Sequence, residues 1–252
     1  HGEGYAVGAA TLSYARPLVT GYRSRLSAGI NLRYLRGIYE LHVEEAGGSL
    51  TTTMTEVTGA AGASMVTAAG GDGYGVDLGF SLQAPRGWTL GLAVDNLLSN
   101  VNWYRDCERR LVTFRADTLN LAHEDLDTRI TDHDTTYAVG TYSTRLPRRL
   151  RLGASNRLGN LLVVCDYKQG FEDRAGATTK PELGLGCEWQ ALGWLRPRLG
   201  LCLGGVCGTG ATAGFGLRLG PWRLDLAAVN RGELVPGDSK GLALGVGSSL
   251  EF

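Results

Sequence analysis

Apolar and polar positions alternate along the last thirteen residues, Lys240–Phe252 (KGLALGVGSSLEF). Leu242, Leu244, Val246, Ser248, Leu250 and Phe252 fall on one face, and Ala243, Gly245, Gly247, Ser249 and Glu251 on the other. A period of two predicts a strand, and one oily face opposite one small or polar face predicts a strand lying between two unlike surroundings. An aromatic carboxy-terminus of this kind closes the final strand of bacterial outer-membrane barrels, whereas the plain alternative is an edge strand of a soluble sandwich.

The same alternation recurs upstream. Residues 3–15 read as a first strand, and Leu26, Ala28, Ile30, Leu32 and Tyr34 then oppose Ser27, Gly29, Asn31 and Arg33. SLTTTMTEV (49–57) reads as a Thr-rich strand of weak amphipathicity, and 58–71 as a Gly/Ala loop. Tyr74, Val76, Leu78, Phe80 and Leu82 lead through the turn Pro85-Arg86-Gly87 to Trp88, Leu90, Leu92 and Val94. Residues 98–148 are less regular, with strands expected near 110–119 and 135–145 around an acidic stretch, and read as an irregular extracellular or lumenal excursion. From Leu150 a meander follows: Leu150, Leu152 and Ala154; Leu161, Val163, Cys165 and Tyr167; Leu183, Leu185, Cys187 and Trp189; Leu199, Leu201 and Leu203; Ala213, Phe215, Leu217 and Leu219; Trp222, Leu224, Leu226 and Ala228.

These elements predict an all-β chain with residues 1–252 as one domain: a transmembrane antiparallel up-and-down β-barrel of about fourteen strands (twelve to fourteen), with long extracellular loops. A soluble sandwich would need a charged second face. Here that face is mostly Gly, Ala and Ser with sparse charges of both signs. If the terminal strand descends toward the periplasm, strict alternation puts Trp88, Trp189, Trp194, Trp222 and Phe252 at the periplasmic rim, and Tyr74 and Tyr167 at the outer one. Interfacial aromatics are distributed in two such girdles. The same assumption leaves short turns on the periplasmic side and the loops 169–180 and 231–239 outside. Strand parity in the first third depends on 49–57. A full strand there makes the first strand rise; an extracellular hairpin makes it descend and implies a partner strand upstream.

Composition is compatible with this picture. Thirty-eight glycines, seven prolines and a formal net charge of zero suggest no polyanion partner, so no nucleic acid is expected. A mean hydropathy of −0.07 does not exclude a membrane protein, because a barrel averages its lipid-facing and lumen-facing residues. The chain begins at His1, which implies either a removed leader or a fragment. Cys107, Cys165, Cys187, Cys202 and Cys207 fit no zinc spacing and read as small buried hydrophobes, with disulfides open in an oxidising compartment.

LSAGINLRYLRGIYE (26–40), GYGVDLGFSLQ (73–83), WTLGLAVDNLLSNVNW (88–103), LPRRLRLGASNRLGNLLVVCDYKQG (146–170), ATAGFGLRLGPWRLDLA (211–227) and the closing SLEF resemble the FadL-like and PorV-like outer-membrane barrels. The resemblance implies location in the outer membrane of a Gram-negative bacterium and a non-enzymatic transport or secretion-accessory role. Relatives carry an upstream plug with an Asn-Pro-Ala motif, which these 252 residues lack, so no gating residue carries over.

Candidate lumen-facing polar residues are Arg33, Asp77, Asp95, Arg149, Arg151, Asp166, Lys168, Glu188, Arg198, Arg218, Arg223 and Asp225, with Glu251 beside them. They form either a polar conduit or a ladder of ion pairs between neighbouring strands, and the ladder is the simpler reading. His123, Glu124, Asp125, Asp127, Asp132, His133 and Asp134 lack the spacing of a calcium loop, so no metal is expected, and no cofactor. No GxSxG context accompanies His42 or His133, so no catalytic residue is expected. The expected partners are outer-membrane lipid and a protein at the extracellular loops or in the lumen. A barrel that anchors partner subunits without conducting, and a soluble β-sandwich binding module, are the alternatives.

Overall fold

A computed structural model describes residues 2–52, 56–120, 130–206, 208–231 and 241–250. It is all-β, as the alternation predicts. The strands are β1 (Glu3–Thr20), β2 (Arg25–Thr52), β3 (Glu56–Ala68), β4 (Gly71–Gln83), β5 (Thr89–Trp103), β6 (Glu108–Asn120), β7 (Ile130–Ala138), β8 (Tyr142–Thr144), β9 (Arg149–Leu158), β10 (Leu161–Gly170), β11 (Glu182–Trp189), β12 (Leu195–Gly204), β13 (Gly208–Leu219), β14 (Trp222–Arg231) and β15 (Gly241–Leu250). Expected and observed strand numbers agree closely, since the fifteen include the three-residue β8. Phe252, Glu251, Cys207, His123, Glu124, Asp125 and Asp127 lie outside the described residues.

The strands form one antiparallel sheet in the order β15-β14-β13-β12-β11-β10-β9-β5-β4-β2-β3-β6-β7, with β1 on β2 and β8 on β5. From β9 to β15 each strand pairs with the next in sequence, the up-and-down pattern that tight turns produce. Two of these turns place glycine at positive φ, Gly159 at 62° and Gly220 at 64°, a conformation most side chains resist. Pro85–Gly87 forms a single 3₁₀ turn between β4 and β5.

Two readings of the first third change. Residues 58–68 belong to strand β3 rather than to a loop. Gly59, Ala60, Ala61, Gly62 and Ala63 carry no side-chain pattern, but β3 is hydrogen-bonded to β2 on one edge and β6 on the other. Pairing on both edges outweighs weak propensity. Residues 49–52 end β2 and pair with residues 57–60 of β3, with Ser49 opposite Ala60 and Thr52 opposite Val57, whereas 53–55 lie outside the described residues. Within 98–148 the chain forms β6, β7 and β8.

The chain divides into two compact units. Unit 1 comprises 1–11, 33–75 and 99–146, and unit 2 comprises 12–32, 76–98 and 147–252. Unit 1 has a small core of Leu35, Ala68, Val101, Trp103, Cys107 and Leu146, with Tyr5, Val7, Val139 and Tyr142 packed against it. Ser99, Val101 and Trp103 alternate inward on β5, while Asn102 and Tyr104 point out. Trp103 fills the space above two glycines, because a Cβ on Gly37 would lie 2.6 Å from its ring and one on Gly71 3.1 Å. Its indole N–H donates to Thr144 Oγ1 at 2.8 Å, which satisfies the ring's polar edge.

In unit 2 the period of two separates the faces cleanly. One face carries rows of apolar side chains in cross-strand register, for example Tyr167, Leu183 and Leu203, or Cys165, Leu185 and Leu201. The other carries Gly153, Asp166, Gly184 and Cys202 in a parallel row. Within unit 2 the leucine rows stay exposed among the described residues. Leu185 is 43% exposed and Leu201 42%.

Candidate functional site

The polar face of unit 2 gathers half of the twelve sequence-predicted charged residues into ion pairs. Lys168 and Glu182 are direct cross-strand neighbours on β10 and β11, with Nζ 3.1 Å from the carboxylate. Arg151 reaches from β9 to Asp95 on β5 at 2.7 Å. Arg198 on β12 bridges Glu188 on β11 and Asp225 on β14, at 2.6 Å to each, with Arg196 at 3.9 Å from Glu188. Asp77 accepts the backbone N–H of Asn96 at 2.8 Å, and the Asn96 amide donates to the Pro147 carbonyl at 2.7 Å. Asn96 adopts φ 54°, a left-handed conformation that asparagine tolerates better than most residues.

Arg149 and Asp95 are register partners, as are Arg218 and Arg223. Asp166 lies beside two glycines, Gly153 and Gly184, where a Cβ would come within 3.0 and 3.6 Å of its side chain. Arg33 belongs instead to unit 1, where its guanidinium covers Gly75 at 3.0 Å from a Cβ position. Two residues that the sequence reading did not single out complete the set, Glu182 and Arg196. Both follow from parity, since each immediately precedes a residue of the leucine face.

Between these charges the polar face is floored by small residues. Ser27, Asn31, Asp77, Asp95, Arg151, Asp166, Lys168 and Glu182 line a trough of about 790 Å³. A second trough of about 680 Å³ continues across β10–β15 over Gly184, Gly186, Gly200, Gly214, Gly245 and Gly247. Glycine is required at two of these positions for space. A Cβ at Gly200 would lie 2.6 Å from Thr212 Oγ1, and one at Gly214 2.5 Å from the Leu226 carbonyl. The trough has the volume of a small-molecule site and a mixed polar and apolar lining.

Trp88, Trp189 and Trp222 share the parity of the leucine-bearing face at strand ends, whereas Trp194 stands opposite Arg218 with the parity of the polar face. Trp189 pairs with Leu161 at the start of β10, Trp222 pairs with Leu219 and Leu250, and Trp88 and Trp194 immediately precede β5 and β12. All four tryptophans adjoin the short connections 84–88, 190–194 and 220–221. Trp222 Nε1 donates to Ser248 Oγ at 2.6 Å. Tyr167 lies toward the other end of β10, with Leu152 and Leu183 as register partners. Tyr74 is exposed on the unit 1 part of β4.

Unit 1 and the connecting loop hold further polar groups. Tyr34, Tyr104 and Arg36 all donate to the Asp72 carboxylate. The Tyr104 and Tyr34 hydroxyls, with Arg36 after them, hold that carboxyl far below the usual carboxylate range. Tyr142 donates to Glu40, a fully buried carboxylate, and burial followed by Glu40 pushes the phenol well above its ordinary value. Between β10 and β11, Asp173 accepts from Thr178 Oγ1, Thr179 N and Thr179 Oγ1 at 2.8, 2.8 and 2.7 Å. These bonds, led by the Thr179 side chain, lower its pKa. Among the described residues, no three His, Cys, Asp or Glu side chains converge as a metal site.

Fold and faces together define an all-antiparallel β protein with one uncovered apolar face and one trough-bearing polar face. No family model and no curated protein matches the chain. Among solved structures it is similar to the Ralstonia pickettii toluene transporter TbuX, at 14% identity over 91% of this chain and 83% of that one, with a TM-score of 0.42. It is also similar to a deltaS2 mutant of the monoaromatic hydrocarbon channel TodX, at 12% identity over 88% and 76%, with a TM-score of 0.46. Pseudomonas putida TodX, a toluene transporter, gives 10% over 90% and 81%, with a TM-score of 0.41.

Proposed function

We propose that unit 2 is barrel wall in a bacterial outer membrane, with its leucine face toward lipid and its polar face toward a lumen. The carrying observation is the continuous exposed apolar face. Soluble monomers rarely expose an apolar patch larger than a few hundred Å². Here Leu185, Leu199, Leu201, Leu203, Phe215 and Leu219 are exposed side by side over three strands. In water that surface would drive aggregation, whereas in hydrocarbon it is at home. The four tryptophans beside the short connections support the same reading, because indole favours the headgroup level.

The role is non-enzymatic. The glycine-floored trough suits passage of a small solute along the polar face, and the ion pairs keep charged side chains neutralised beside that route. A secretion-accessory role at the same wall is the finer alternative. Reconstitution into liposomes tests the proposal. Solute-dependent swelling or single-channel conductance is expected. A non-conducting barrel that co-purifies with a partner would replace transport by anchoring. A protein soluble without detergent, showing no heat-dependent shift in gel mobility, would remove the membrane reading altogether.

A further inference from the structure

Among the described residues, the strands of unit 2 carry six carboxylates on the polar face, and five of them are engaged. Asp77 accepts the Asn96 N–H, Asp95 pairs with Arg151, Glu182 with Lys168, and Glu188 and Asp225 share Arg198. Asp166 is the sixth. Among the described residues its carboxylate has neither an ion pair nor a hydrogen-bond donor.

The surroundings keep that carboxylate open. Its register partners are Gly153 on β9 and Gly184 on β11, so neither neighbouring strand brings a side chain toward it. A Cβ on Gly153 would lie 3.0 Å from an Asp166 carboxylate oxygen, so any larger residue there would crowd it. The nearest cations on the same face are Lys168, two residues along β10, and its register partner Arg151. Glu182 holds the first at 3.1 Å and Asp95 the second at 2.7 Å. Arg149 stands two residues further along, opposite Gly170. Asp166 and Gly184 also line both troughs, the one of about 790 Å³ and the one of about 680 Å³. A solute moving from one trough into the other therefore passes this carboxylate.

We propose that Asp166 sets the specificity of the route, accepting hydrogen bonds from the ammonium head of small organic cations. This rests on the conduit reading of unit 2. An ammonium group brings about three donors to a carboxylate whose lone pairs are all unused, and charge-assisted bonds of this kind are roughly twice as strong as neutral ones. The carbon part of such a solute has room over Gly184, Gly186 and Gly200, which floor the second trough. A divalent metal fits less well, because it takes about six or more oxygen ligands. Among the described residues no three His, Cys, Asp or Glu side chains converge to supply them.

Full-length protein in planar bilayers provides the test, with ethylammonium chloride at unequal concentrations on the two sides and the reversal potential as readout. Wild type should pass ethylammonium several-fold more readily than chloride. Asp166→Asn should lose that preference, and Asp166→Glu should keep most of it. Liposome swelling in ethylene glycol, an uncharged solute of similar size, should be the same in all three, since this carboxylate ties no strands together. Equal passage of cation and chloride in the wild type would overturn the proposal and leave Asp166 a solvated carboxylate only. A preference that survives Asp166→Asn would overturn it in favour of other residues. Loss of ethylene glycol uptake in Asp166→Asn would overturn it too, by making the residue a structural one. A wild type with neither conductance nor swelling would instead remove the conduit reading, and this proposal with it, whereas swelling without cation preference removes only the proposal.

Discussion

Glu188 and Arg198 stand directly opposite each other on β11 and β12, and the Arg198 Nε lies 2.6 Å from the Glu188 carboxylate. The carboxylate side chain is only 13% exposed, and Arg198 simultaneously holds Asp225 two strands further on at 2.6 Å. One guanidinium therefore ties β11, β12 and β14 together on the polar face. Removing it leaves a mostly buried carboxylate with Arg196 at 3.9 Å as the remaining cation beside it. Gln190 Nε2 still donates to Glu188 at 2.6 Å, so Arg198→Met should cost about 1.5 kcal/mol, the low end for a hydrogen bond to a charged group. Adding Glu188→Gln should restore much of the loss. Urea unfolding in detergent micelles measures both, and equal stability of wild type and the single variant would refute the role given to Arg198.

Trp103 anchors unit 1. It is 1% exposed, and truncation of a buried aromatic costs about 3–5 kcal/mol. Trp103→Ala should make residues 33–75 and 99–146 cleavable by protease while β9–β15 stay resistant. Gly37→Val should give the same pattern by the opposite route, since its Cβ would meet the Trp103 ring at 2.6 Å. Uniform sensitivity of the whole chain in either variant would contradict an independent core in unit 1.

Asp173 gives the 171–181 connection a pH dependence of definite sign. Its pKa is lowered, first by the Thr179 side chain and then by the Thr179 N–H and Thr178. A depressed carboxylate contributes order that is present above its unfolded value, about 3.9, and lost as pH falls toward the folded value. The Thr179 amide resonance should therefore stay constant down to about pH 4 and move only below it. Asp173→Asn should remove that titration. A midpoint above the ordinary carboxylate value would contradict the hydrogen bonding described.

The two faces of unit 2 should respond oppositely to charge. Arginine near the bilayer midplane on the lipid side of a barrel costs about 2–4 kcal/mol. Leu201→Arg should therefore impair folding into vesicles, whereas Ser81→Arg, which points into the trough, should not. Similar losses from both would remove the distinction between the faces.

Most of the fold was legible because period-two alternation needs no knowledge of partners. Leu150 to Leu250 reads correctly strand by strand for that reason. Strand β3 was not, since Gly59 to Ala63 has no oily side to reveal and is held by its neighbours' backbones. The polar set was legible one residue at a time, but its pairing was not. Lys168 meets Glu182 across a loop, and only register determines that contact. Trp103 lies in the core of unit 1. The alternation that buries it starts after Asn96, whose φ of 54° falls inside the continuous strand β5, and no local pattern marks the glycines that receive its ring.

Cys187 lies on the leucine face and Cys202 on the polar face of adjacent strands, Cys187 opposite Leu199 and Cys202 opposite Gly184. Single-cysteine variants spin-labelled at each position and reconstituted in lipid test the central claim most directly. The label at 187 should collide with membrane-dissolved oxygen and be shielded from an aqueous nickel chelate, with the reverse at 202. Nickel access at 187 together with oxygen access at 202 would turn the sheet inside out and contradict the account.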